Sequence, residues 1–93
     1  MINIEDIAKT IYNICKEKGY KRVLIQAPDG LKYKILEVVE YLEEKLDIEV
    51  YIWYGTNFGA CDVPIWLEKY GFDAIFNIGH SLQKWTKDYY SLG

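Results

Sequence analysis

Ninety-three residues make one domain with a real but modest core, and a formal net charge of −3 argues against a protein that holds nucleic acid by neutralising phosphates. No apolar run approaches the ~20 residues needed to span a bilayer, and the opening "MINIEDIAKT" lacks a basic-then-apolar leader, so the sequence reads as a cytoplasmic protein without a membrane partner. Its two cysteines, Cys15 and Cys61, form neither a CxxC pair nor a disulfide framework.

The segment "NIEDIAKTIYNICKEKG" puts Ile4, Ile7, Ala8, Ile11, Ile14 and Cys15 on one helical stripe. Asn3 with Asp6 suits its N-terminal cap and Gly19 its C-terminal stop. "RVLIQA" (22–27) is a short apolar run, as expected for a strand covered on both faces, and "PDG" breaks it. "LKYKILEVVEYLEEKLD" has helical period, with Leu31, Ile35, Val38, Val39, Leu42 and Leu46 facing inward. "IEVYIWYG" (48–55) is a second strand, "VPIWLEKYG" (63–71) a short helix ending at Gly71, and "DAIFNIG" (73–79) a third strand. The tail "HSLQKWTKDYYSLG" reads as a last amphipathic turn or two, with Leu82, Trp85 and Tyr89 on one side.

Helices alternating with apolar strands imply right-handed crossovers and a parallel sheet. The expected fold is therefore a single α/β domain over residues 1–93, a small three-layer unit with an open parallel sheet of strand order 2-1-3. Three strands leave an edge to be covered by the tail, by a partner chain or by a further domain.

In such sheets ligands bind outside the carboxyl ends of the strands. The segments "APDG" (27–30), "GTNFGACD" (55–62) and "GHS" (79–81) leave the strands there. Cys61, with Asp62 as helix cap, would stand just before a helix whose amides favour a thiolate, the form that binds iron or zinc or attacks an electrophile. Gly59 and Ala60 would let a ligand come close. The competing reading is a small hydrophobe in a tight turn. Cys15 lies on the apolar stripe and reads as core. His80, the single histidine, is either a ligand-edge group or a hydrogen-bonding turn residue. Asp29 reads as a cap for the second helix, and Gly30 as a backbone opening for a carboxylate or phosphate. Trp53, Trp66 and the tyrosines read as packing residues rather than a stacking platform.

Three segments in order, "RVLIQAPDGL", "YGTNFGACDVP" and "FDAIFNIGHS", resemble the N-terminal domain of the diphthamide synthase family across roughly residues 20–82. The family's Pro-acid-Gly-Leu turn, Gly-Ala-Cys loop and Gly-His-Ser strand end appear here as Pro28-Asp29-Gly30-Leu31, Phe58-Gly59-Ala60-Cys61 and Gly79-His80-Ser81. The resemblance implies transfer of a 3-amino-3-carboxypropyl group from S-adenosylmethionine to a histidine of elongation factor 2, by radical cleavage at a 4Fe-4S cluster. It implies three related domains, each giving the cluster one cysteine, with Cys61 as the metal ligand here and Asp29, Gly30, Gly59, Ala60, His80 and Ser81 around the cofactor. Alone, this chain would lack two of the three cysteines. The expected partners are then elongation factor 2 and further synthase domains or chains, or copies of this chain in a homo-oligomer sharing Cys61. A non-catalytic accessory module of the same fold is the second reading. Quinolinate synthase, also built of three related α/β domains around one cluster, is the third.

Overall fold

The computed structural model describes residues 3–54, 63–78 and 88–92. Helix α1 spans Ile4–Lys18. The Asn3 side chain opens it, its Oδ1 accepting from the backbone amides of Glu5 at 3.0 Å and Asp6 at 3.3 Å, two donors that have no partner inside a helix. Gly19 closes it at φ 73°, a left-handed conformation that costs a residue with a Cβ. Strand β1 (Arg22–Ala27) leads through a 3₁₀ turn (Asp29–Leu31) into α2 (Lys32–Lys45). Strand β2 is Glu49–Tyr54, helix α3 Val63–Lys69, and strand β3 Ala74–Ile78.

A fourth strand, β4 (Tyr89–Leu92), completes the sheet, in the order β2-β1-β3-β4 with every pairing parallel. The expected order 2-1-3 is therefore extended by one. The expected amphipathic turn is corrected at its end: Tyr89 belongs to a strand and is buried, while Leu82 and Trp85 lie outside the described residues. The reason is local. A "YYSL" run favours the pleated surface, and pairing with β3 satisfies backbone groups that a single helical turn would leave open. Of the three covers foreseen for the open edge, the tail is the one that lies along β3. A polar tether holds it there. Tyr20 Oη donates to Asp88 Oδ1 at 2.6 Å and lies 2.9 Å from Tyr90 Oη, which raises the Tyr20 phenol well above its usual pKa, burial contributing most.

Two layers flank the sheet unequally. On one face α1 and α2 pack through Ile7, Ala8, Ile11, Ile35, Val38 and Leu42 onto Val23, Ile25, Ala74, Phe76, Ile78 and Tyr90 in one continuous core. Cys15 is part of it, 2 % exposed, and burial with the nearby Asp73 charge pushes its thiol up to about 12. On the other face Leu24, Ile75 and Tyr89 form a smaller cluster with Leu67 of α3 and Phe72. Tyr51, Trp53, Ile65 and Tyr70 remain substantially exposed. Gly71, like Gly19 at φ 73°, turns the chain from α3 toward β3, and a Cβ there would meet Arg22 Nη1 at 3.3 Å.

Candidate functional site

Parallel pairing sends the carboxyl ends of β1, β2 and β3 to one edge. Ala27 stands opposite Tyr54, and Gln26 opposite Asn77. The chain goes from central β1 out to β2 and then across to β3, so the order reverses between β1 and β3. That reversal is where an open α/β sheet leaves a crevice. Each of the three motif segments follows one of these strand ends in sequence. Beyond them the described chain is limited: Gly59, Ala60, Cys61, His80 and Ser81, with Asp62 and Gly79, lie outside the described residues.

Asp29 and Gly30 are described. Both are exposed in the 3₁₀ turn that follows β1. The expected side-chain cap is not made. The residue at the head of α2 is Leu31, without a side-chain cap bond, and the Lys32 amide donates to the Asp29 backbone carbonyl instead. The 3₁₀ turn explains this, because its i→i+3 bonds occupy the amides that a carboxylate would have taken. The Asp29 carboxylate is thus not committed to capping. Among the described residues nothing lies within 4 Å of where a Cβ on Gly30 would sit. Helix α3 is only seven residues long, so any amide field at its start comes from two turns.

Sequence reasoning missed the polar residues just inside this edge. Gln26 and Asn77, each the last but one residue of its strand, are 0 % and 2 % exposed. Asn77 Nδ2 donates to Tyr89 Oη at 3.1 Å, while Asn77 Oδ1 has no partner among the described residues. The signal was present: a single carboxamide interrupts each of two otherwise apolar runs, "RVLIQA" and "AIFNI". It was passed over because neither residue belongs to a loop.

Elsewhere, a groove of about 280 Å³ opens between α1 and α2, with Ile4, Ala8, Val38 and Tyr41 among its walls, and no candidate site residue lines it. Among the described residues no three His, Cys, Asp or Glu side chains gather into a group that could hold a metal ion. No helix among them is long and apolar enough to cross a membrane.

Comparison with known proteins agrees with the strand-end pattern. The family profile for diphthamide synthesis proteins matches residues 27–89. The 2-(3-amino-3-carboxypropyl)histidine synthase of Pyrococcus horikoshii is 44% identical over 70 residues, covering 74% of this chain and 20% of that protein. Its counterpart from Methanocaldococcus jannaschii is 34% identical over 85 residues, covering 85% of this chain and 24% of that one. Crystal structures of Dph2 from Pyrococcus horikoshii, one of them with a 4Fe-4S cluster, superpose with a TM-score of 0.68 at 36% identity over 86% of this chain and 24% of theirs. The chain spans about a fifth to a quarter of the length of the relatives it matches.

Proposed function

The chain belongs to the diphthamide synthesis protein family, and from that premise we propose that it is the first domain of a transferase acting in the cytoplasm. The reaction moves a 3-amino-3-carboxypropyl group from S-adenosylmethionine to a histidine of elongation factor 2, the first step of diphthamide biosynthesis. The observation that carries the reading is the convergence of the β1, β2 and β3 carboxyl ends on one edge, in the register Ala27 to Tyr54 and Gln26 to Asn77. Each family motif lies in the segment that follows one of those strands in sequence.

In this reading Cys61 gives one thiolate to a 4Fe-4S cluster, and Gly59 and Ala60 leave room beside it. In the same reading Asp29 and Gly30, together with His80 and Ser81, which follow β3 in sequence, hold S-adenosylmethionine. The donor set of the chain fits such a cluster only in part. A cluster takes about three or four thiolates, and Cys15, buried with its thiol pushed up to about 12, is not available as a second. The remaining ligands then come from further domains or chains. When bound, the cluster supplies the electron that opens the sulfonium carbon–sulfur bond. What this chain contributes is binding and placement at the strand ends.

The test is a chimera in which this chain replaces the matched segment of the Pyrococcus horikoshii synthase, loaded with iron and sulfide without oxygen. Transfer of labelled aminocarboxypropyl from S-adenosylmethionine to elongation factor 2 is the expected result. A folded, cluster-loaded chimera that transfers nothing would favour the accessory module over the catalytic domain.

A further inference from the structure

Asn77, one of two buried carboxamides at the point where the strand order reverses, is not explained by packing. Gln26 and Asn77 face each other across the β1–β3 ladder, the two central strands, with 0 % and 2 % of their surface exposed. They share a face with Leu24 and Ile75, the apolar cluster under α3. An apolar pair would extend that cluster at lower cost, because a buried acceptor without a donor weakens a fold. Asn77 Oδ1 is such an acceptor among the described residues. Its Nδ2 is held by Tyr89 Oη at 3.1 Å, which fixes the side chain while leaving the oxygen unclaimed.

Resting on the function proposed above, we infer that Asn77 is a specificity-determining residue for the amino-acid end of S-adenosylmethionine. Its Oδ1 accepts a hydrogen bond from the α-ammonium of the group to be transferred. Three observations converge on this. Asn77 stands one residue inside the carboxyl edge, a rise of roughly 3.3 Å, so a ligand seated on the strand ends is one side chain away. The residue stands on β3 beside β1, where the strand order reverses and open α/β sheets bind their ligands. Among the described residues the atom meets no donor, and an ammonium is a donor. A neutral carboxamide also suits a zwitterionic ligand end, whose net charge is zero.

Two variants separate this role from a structural one. Asn77→Leu with Tyr89→Phe removes both partners of the Asn77–Tyr89 hydrogen bond. Asn77→Asp keeps an oxygen acceptor and the contact to Tyr89 but buries a carboxylate. Urea unfolding is measured on the chain. Binding is measured on the cluster-loaded chimera, with S-adenosylmethionine and with 5′-methylthioadenosine, which lacks the amino-acid end. The expected result is a crossing of the two orders. The apolar double variant unfolds at the same or higher urea yet binds S-adenosylmethionine at least tenfold more weakly, with methylthioadenosine unchanged. Asn77→Asp unfolds earlier yet binds S-adenosylmethionine within about threefold of the parent. A double variant that unfolds markedly earlier would make the pair structural, or the seat of an ordered water, and overturn the inference. A stable double variant that keeps its preference for S-adenosylmethionine would overturn it while leaving the proposed function intact. If the parent chimera binds neither probe, the proposed function falls and the inference with it.

Discussion

The two faces of the sheet are built to different standards. Under α1 and α2 the apolar contacts are continuous, and Ile11, Ile25, Ile35, Val38, Leu42, Phe76 and Ile78 are fully buried. Under α3 the cluster has three buried members among the described residues, two carboxamides share their face, and Tyr51, Trp53, Ile65 and Tyr70 stay exposed. The first face holds the fold. The second tolerates polar atoms that cost stability, which is the usual condition of a surface that meets a ligand or a neighbour.

This contrast can be broken by substitution. Phe76→Ala, at a fully buried ring stacked on Tyr90 with centroids 5.0 Å apart, should cost about 3–5 kcal/mol in urea unfolding. Leu67→Ala, at a partly buried position on α3, should cost about 1 kcal/mol or less. Equal costs would mean that the two faces carry the fold alike.

Cys15 sharpens the comparison through pH. Its folded thiol is raised from 9.0 to about 12, so the fold gains from keeping it protonated. That contribution is complete below pH 9.0 and is lost as pH climbs toward 12, because the unfolded chain releases the proton first. Cys15→Ala should flatten this alkaline loss while lowering stability near neutrality, read from urea midpoints at a series of pH values. Cys15→Ser should cost about 1–3 kcal/mol if its hydroxyl finds no partner. In the native chain Cys15 should resist thiol reagents until unfolding.

Tyr20→Phe tests the tether of the tail. It removes the 2.6 Å bond to Asp88 and the 2.9 Å contact with Tyr90, at about 1–2 kcal/mol. Hydrogen exchange should quicken in β4 before it quickens in β1. The smallest effect is expected at Asp29→Asn, within about 0.5 kcal/mol, because the exposed carboxylate caps no helix. A loss of 1 kcal/mol or more would restore the cap that the sequence suggested.

The thick face was legible in the sequence because its residues are periodic. Ile7, Ala8, Ile11 and Cys15 on one helix and Ile35, Val38 and Leu42 on the next were assigned inward and are buried. The central strand "RVLIQA" announced itself by its apolar run, and Asn3 and Gly19 by their positions at helix ends. The strand order among β1, β2 and β3 followed from the handedness of crossovers. Strand β4 was hidden, since Leu82, Trp85 and Tyr89 satisfy a helical period and a four-residue strand is too short to establish its own. At the candidate site the sequence speaks unevenly. Loop motifs were recognisable as words, whereas Gln26 and Asn77 were not, because a polar residue in a strand is ambiguous until its burial is known. Asp29 misled because a helix-start residue type sat before a 3₁₀ turn.

The central claim is that Cys61 serves the chemistry at the strand ends and not the fold. The direct measurement is Cys61→Ala, compared with the parent, in the melting temperature of the chain and in aminocarboxypropyl transfer to elongation factor 2 by the cluster-loaded chimera. The account predicts a melting temperature within about 2 °C of the parent, since the apolar clusters among the described residues already join the helices to both faces of the sheet, together with loss of transfer. Full transfer by the Cys61→Ala chimera, or a chain that no longer folds, would contradict it.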